Sequence, residues 1–243
     1  MESSGVLLVL PALNEEEALK KLASEIPPLY DVLVVDSMSS DGTAGVARDA
    51  GFACVPARYG RGQGSGVRTG FDYFLEHSYS YMLLMDCDCT DDPKDLQKVL
   101  ARLKTGGFDL VIGVRDMAKQ REYLGVEAIL VKSTVSRLIR LLTGLHIRDM
   151  LTGVWAFDRR SAERITPRLR ETGFEYGFEI VYNAWLLGLG IGEEDVGFRP
   201  RVGMSKLTMK ERLVQVMYGI KYGLKVLQVK RSRGKKIIAS GEA

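Results

Sequence analysis

The sequence predicts an α/β protein built on a mostly parallel, doubly wound sheet with helices on both faces. Two observations carry that prediction. Short, uniformly apolar runs recur along the first half of the chain, each closed by acidic or turn-forming residues, as expected of strands buried on both faces. Longer segments with helical periodicity separate them. The order strand, helix, strand, helix, strand gives parallel neighbours through crossover connections. Hydrophobic residues make up 46% of the 243, enough to fill the core of one large domain, or of one domain with a tail.

In order, Val6–Leu10 reads as the first strand and Pro11–Asn14 as a turn. A helix then starts near Glu15, with Asn14 as N-cap, Glu17 in the capping-box position and acid in the first turn, where the helix dipole favours it. Asp31–Val35 is the second strand and ends in Asp36 and a Ser-rich turn with Asp41-Gly42. After a helix comes a short strand, Phe52–Val55. The glycine-rich Gly60–Gly66 opens a helix that runs through Phe74. It follows the third strand rather than the first and lacks G-x-G-x-x-G spacing, which makes a dehydrogenase a poor reading. Its N–H groups, with Arg61 or Arg68, are expected to approach phosphates. Tyr81–Met85 is the fourth strand, Pro93–Leu103 a helix, and Leu110–Gly113 a strand that delivers Arg115 to the edge where Asp86 and Asp88 stand. A further strand is expected over Asp195–Phe198.

A net charge of +3 is too small to indicate a nucleic-acid binder. Three cysteines, Cys54, Cys87 and Cys89, without a framework spacing indicate a reducing compartment. Cys87 and Cys89 have no second Cys/His pair and read as small residues at a strand end. No leader pattern opens the chain and no run reaches the length of a membrane span, so the expected location is cytoplasmic, free or on the membrane surface. His77 and His146 read as structural, and Trp185 as a core residue.

The fourth strand ends in Asp86-Cys87-Asp88-Cys89-Thr90-Asp91-Asp92-Pro93. Ligands bind open α/β sheets outside the carboxyl ends of the strands. Two carboxylates spaced i, i+2 at that edge repel, and one is driven toward protonation unless a cation lies between them. Mg²⁺ or Mn²⁺ suits, because either takes one or two carboxylates and fills its shell with water and phosphate oxygens. The alternative is an acidic loop with an N-capping Asp.

Five segments in order resemble the motifs of family 2 glycosyltransferases with the GT-A fold. They are Pro11-Ala12-Leu13-Asn14-Glu15, Val34 to Thr43, Arg61-Gly62-x-Gly64, Asp86-x-Asp88-x-Thr90-x-x-Pro93 and Ile112-Gly113-x-Arg115. Asp149-x-x-Thr152-Gly153, Gly173-Phe174-Glu175-x-x-x-Glu179 and Arg201-x-Gly203-x-Ser205-Lys206-Leu207 extend the resemblance to the polyprenyl-phosphate branch, the dolichol-phosphate mannose and glucose synthases. Ser37, Arg61 and Trp155 depart from the residues common at their positions. The resemblance implies a metal-dependent inverting enzyme that moves a hexose from a GDP- or UDP-sugar to a polyprenyl phosphate by direct displacement. It implies donor contacts at Pro11, Ala12, Asn14, Glu15, Asp36, Ser37, Arg61, Asp86 and Cys87, and metal ligation by Asp86 and Asp88. Asp88, Arg115, Glu179, Arg201 and Lys206 are expected to carry the chemistry. An acceptor phosphate is already ionised, so cationic side chains matter more than a base; Glu179 reads either as a base or as an organiser of the cationic loop. The alternatives are a soluble acceptor and an inactive nucleotide-sugar or lipid-binding module.

The GT-A domain is expected over residues 1–207, with a basic amphipathic helix and tail over 208–243. In that helix Leu213, Val216, Met217, Ile220, Leu224 and Leu227 recur at helical spacing among Lys210, Arg212, Lys221 and Lys225, before a basic cluster from Lys230 to Lys236. Val126–Leu142 has a similar mixture. Such helices fit the surface of an anionic membrane, an ordinary packed helix or a homodimer contact. Ser232–Ala243 reads as a loose tail.

Overall fold

Side chains alternate sides along a strand, so a run that is apolar at every position needs a helical layer on each face. A computed structural model shows that arrangement; it describes residues 5–123, 130, 133–134, 136–137, 140–141, 144, 147–204 and 209–240. The strands are β1 (Val6–Ala12), β2 (Asp31–Asp36), β3 (Ala53–Pro56), β4 (Tyr81–Leu84), β5 (Leu110–Arg115), β6 (Trp155–Asp158) and β7 (Ile191–Val196). They form a seven-stranded sheet in the order β3-β2-β1-β4-β6-β5-β7. All neighbours are parallel except β6, which runs antiparallel to both β4 and β5.

The described helices are α1 (Glu16–Glu25), α2 (Thr43–Asp49), α3 (Gln63–Glu76), α4 (Leu96–Thr105), α5 (Met117–Tyr123), α6 (Arg159–Ile165), α7 (Tyr176–Leu187) and α8 (Met209–Ser240). On one face Leu8, Leu10, Val34 and Leu83 pack with Leu19 and Leu22 of α1 and Val99 of α4. On the other, Leu7, Val9, Leu33 and Met82 pack with Phe71 and Phe74 of α3 and Phe178 of α7. Gly70 of α3 lets that helix approach β1 closely; a Cβ there would stand 2.5 Å from Val9 Cγ1.

Several boundaries differ from the expected ones. Pro11 and Ala12 belong to β1, because β2 pairs alongside them through Val35 and Asp36. Asn14 does not cap α1. It takes a left-handed conformation (φ 51°), and its Oδ1 accepts from Ser40 N at 2.7 Å. The N-cap of α1 is Glu15, without a side-chain cap bond; Glu16 reaches instead to Gly42 N. Pro93 opens a 3₁₀ turn, capped by Asp92, and α4 starts only at Leu96. The last strand covers Ile191–Val196 rather than Asp195–Phe198, since its register follows β5. Residues 232–240 continue α8 instead of forming a loose tail. Trp185, in the last turn of α7, is half-buried, and Trp155 on β6 is the fully buried tryptophan.

Helix α8 packs on α7, with Tyr222 buried against Tyr182 (ring centroids 5.4 Å apart). Most of Val126–Leu142 and the 207/208 boundary lie outside the described residues. Among the described residues, no helix is long and apolar enough to cross a membrane.

Candidate active site

The parallel strands β1, β2 and β4 end on one edge of the sheet, and the polar residues that follow them share that edge. The β4 loop is held there by Met85 N donating to Val9 O and by Cys89 in a left-handed turn (φ 65°). Residues 199–202 lie beside this loop. Arg199 N donates to Thr90 O, Val202 N to Asp88 O, and the Arg199 side chain to Cys89 O, Asp91 O and Glu25. This scaffold sets Arg201 against the loop. Its Nη1 pairs with Asp88 Oδ2 and its Nη2 with Glu15 Oε1 at 2.5 Å, so one guanidinium bridges the ends of β1 and β4. Asp88 Oδ1 also accepts from Thr90 N (2.9 Å) and Oγ1 (2.6 Å).

Asp86 accepts from Gln63 Nε2 at 2.6 Å and backs onto Gly153, where a Cβ would stand 2.8 Å from Asp86 Cβ and closer to its carboxylate. Burial first, then the charges of Asp88 and Asp91, pushes the Asp86 carboxyl up to about 8, against the pull of Arg115 and Arg201. Asp86 and Asp88 thus share one loop with Asp91, where the Arg201 guanidinium bridges Asp88 to Glu15.

The expected site residues divide into those at this edge and those used elsewhere. Glu15, Asp88 and Arg201 meet directly, and Asp86, held by Gln63, stands in the same loop as Asp88. Asp36 ends β2 and accepts from Ser39 N; Ser37 is buried and donates from Oγ to Gly62 O at 3.2 Å, tying β2 to the glycine-rich loop. Arg61 is exposed at the start of that loop. Pro11 and Ala12 are buried, Pro11 against Gly66. The Cys87 side chain sits in the core, with its thiol pKa raised by burial, so it does not face the edge. Arg115 is 6% exposed and committed to Asp149 through Nε (2.8 Å) and Nη2 (3.0 Å), with Nη2 also donating to Leu151 O; it braces the 149–151 segment rather than presenting a free fork to a phosphate. Glu179 is not placed as a base: its buried carboxylate accepts the backbone N–H groups of Arg170 and Glu171. Lys206 lies outside the described residues.

The glycine-rich loop also differs from expectation. Gly64 N donates to Gly173 O and Ser65 N to Thr172 O, both at 3.0 Å, so these N–H groups hold the 171–173 segment and are not open to a phosphate. Gly62 is required twice over. Its φ is 142°, and a Cβ would collide with Thr172 O. Gln63 and Arg199 were missed as site residues. Gln63 occupies the variable position of its motif, and Arg199 precedes the Arg201 motif; spacing alone assigns neither a partner.

A mostly parallel sheet, with an antiparallel strand beside the acid-bearing one and charged residues gathered at its carboxyl edge, defines a GT-A-like α/β domain. The sequence matches glycosyl transferase family 2 over residues 8–166, and the chain belongs to that family. It is therefore a glycosyltransferase. It is similar to polyprenol monophosphomannose synthase of Mycolicibacterium smegmatis, 29% identical over 215 residues, covering 83% of this chain and 80% of the relative. It is also similar to an uncharacterized glycosyltransferase of Mycobacterium tuberculosis, 32% identical over 84% of this chain and 89% of that one. Among solved structures, glucosyl-3-phosphoglycerate synthase of M. tuberculosis in complex with Mn²⁺, UDP-glucose and phosphoglyceric acid superposes with a TM-score of 0.72 at 23% identity, over 91% of this chain and 79% of that one.

Proposed function

We propose that this protein transfers a hexose from a nucleotide-sugar to a polyprenyl phosphate at a membrane surface. The observation that carries the reading is the convergence of Glu15, Asp86, Asp88 and Arg201 at the carboxyl edge of β1 and β4. Asp36 and Glu15 offer acceptors to the hydroxyls and N–H groups of a nucleoside. Arg201 offers a fork to phosphate when Asp88 turns toward another cation.

The donor set fits a divalent ion. Asp86 and Asp88 are hard oxygen ligands from one loop, and the Asp86 carboxyl, raised first by burial and then by the charges of Asp88 and Asp91, would be held ionised by a cation beside it. Among the described residues no three His, Cys, Asp or Glu side chains converge as a complete metal cage. Asp86 and Asp88 would hold Mg²⁺ or Mn²⁺ while leaving positions for water and diphosphate oxygens. When bound, the ion neutralises charge on the leaving nucleoside diphosphate. Gln63 keeps Asp86 oriented, and Glu15 would keep Arg201 at this edge once Asp88 turns to the ion. The acceptor phosphate oxygen forms a bond to the anomeric carbon of the sugar as the bond from that carbon to the diphosphate oxygen breaks. The phosphate has no proton to lose, in keeping with Glu179 being occupied by backbone N–H groups.

The membrane contact is assigned to α8. Leu213, Met217, Ile220 and Leu224 are 60%, 67%, 43% and 51% exposed and form one stripe at spacings of 4, 3 and 4. Lys221, Lys225 and Arg231 accompany it. An exposed apolar stripe beside cations suits the interface of an anionic bilayer. The relationship to the polyprenol synthase supports a lipid acceptor. A donor screen with short-chain polyprenyl phosphate, and separately phosphoglyceric acid, in Mn²⁺ tests the assignment. A sugar-lipid product is expected; product only with phosphoglyceric acid assigns a soluble acceptor, and donor binding without turnover of either assigns an inactive module.

A further inference from the structure

A groove of about 960 Å³ lies between the 3₁₀ turn Thr166–Arg168, α7 and α8, and none of the strand-end acids lines it. We propose that this groove is a second binding site, for a phosphate-bearing anion with an apolar or aromatic portion.

Five cationic side chains, Arg164, Arg168, Arg170, Lys221 and Lys225, face two carboxylates, Glu171 and Glu179. Both carboxylates are engaged inside the protein. Glu171 holds Lys221 Nζ and Tyr222 Oη, each at 2.8 Å, and Glu179 accepts backbone N–H groups. Among the described residues, Lys221 is the one cation of the five in an ion pair. Arg164 and Arg170 spend part of their donor capacity on the carbonyls of Leu187 and Leu169, which fixes their direction without cancelling charge. Like charges held around a concavity raise the local potential for an anion, and guanidinium forks match phosphate oxygens.

The floor is aromatic and apolar. Lys225 Nζ stands 4.5 Å from the Tyr222 ring centroid and 5.5 Å from that of Tyr182, with Leu186 and Leu187 alongside. A cationic rim over such a floor suits an amphiphilic phosphate better than a bare halide or a neutral sugar. Lys221 and Lys225 are sequence neighbours of Ile220 and Leu224, so the mouth flanks the exposed stripe of α8. The phosphate is therefore supplied either by a lipid headgroup or by a soluble ester.

The full chain is titrated in metal-free buffer, which keeps the strand-end site out of the measurement. One arm uses inorganic pyrophosphate followed by calorimetry. The other uses co-sedimentation with phosphatidylcholine vesicles, with and without phosphatidylglycerol. Arg168→Glu/Arg170→Glu, two exposed groove cations that lie off α8, is expected to weaken binding by about tenfold or more, equivalent to roughly 1.4 kcal/mol. Loss of pyrophosphate binding assigns a soluble source; loss of the phosphatidylglycerol-dependent part alone assigns a headgroup. Lys119→Glu/Arg121→Glu, on exposed positions of α5, makes the same change in net charge and is expected to leave both arms unaltered. The proposal is overturned if the wild type binds neither probe, if the groove variant binds as the wild type does, or if the α5 control loses as much. Should the charge reversal unfold the chain, Arg168→Gln/Arg170→Gln repeats the comparison with the same criteria.

Discussion

Gly153 gives the strongest test of the strand-end geometry. A methyl group placed there meets Asp86 Cβ at 2.8 Å and its carboxylate more closely, whereas ordinary contact begins near 3.4 Å. Asp86 has a short, half-buried side chain fixed by Gln63 at 2.6 Å, so it cannot swing aside as a lysine would. Relief requires Asp86 or the backbone at Gly153, just before β6, to move by roughly 0.6 Å or more, the difference between those two separations. Misplacement of about 1 Å in a catalytic constellation can cost on the order of 100-fold. Gly153→Ala is therefore expected to lower turnover by roughly 10- to 100-fold, and overpacking of this kind costs about 1–3 kcal/mol in stability. The assay is steady-state transfer against Mn²⁺ concentration, with thermal unfolding of the same samples. Gly45→Ala, in α2 with nothing within 4 Å, serves as the control and is expected to retain activity. Wild-type kcat and metal dependence in Gly153→Ala would refute the placement of Asp86 at the reacting end of the molecule.

Other perturbations address separate parts of the reasoning. Asp88→Ala removes one proposed metal ligand and the partner of Arg201, and transfer is expected to fall by about 100-fold or more while the far-ultraviolet circular dichroism is retained; undiminished turnover would falsify the metal assignment. In metal-free buffer the Asp86 carboxyl is raised to about 8 in the folded protein, against about 3.9 for an unfolded chain. The native state then holds a proton that the unfolded state releases, so stability is greatest below pH 4 for this group and declines as pH rises toward 8. Thermal unfolding should show that decline and Asp86→Asn should flatten it, with added Mn²⁺ raising Tm more at pH 8 than at pH 5. Leu213→Glu/Leu224→Glu, on the exposed stripe of α8, is expected to cut vesicle co-sedimentation with little change in Tm, each buried leucine being worth roughly 1.5–3 kcal/mol at the interface; unchanged partition would remove the membrane assignment.

Residue order by itself determined the layered α/β class, the five strands of the first half and the acids that follow β2 and β4. Those properties follow from local patterning: a uniformly apolar run demands cover on both sides, and the polar residue that ends it must emerge at the sheet edge. The acidic stretch from Asp86 to Asp92 and the motif order were legible for the same reason. Tertiary structure decided the pairings. Arg115 looks equivalent to Arg201 along the chain, yet one is buried against Asp149 and the other spans Asp88 and Glu15. Glu179 has the composition of a base and the surroundings of a backbone brace. The glycine-rich loop has the composition of a phosphate cradle, and its N–H groups are consumed by carbonyls more than a hundred residues away. Such choices depend on which groups are brought within about 3 Å by strands and helices packed from distant parts of the chain, and on how much water remains between them. Neither distance nor dehydration is written in spacing along a sequence.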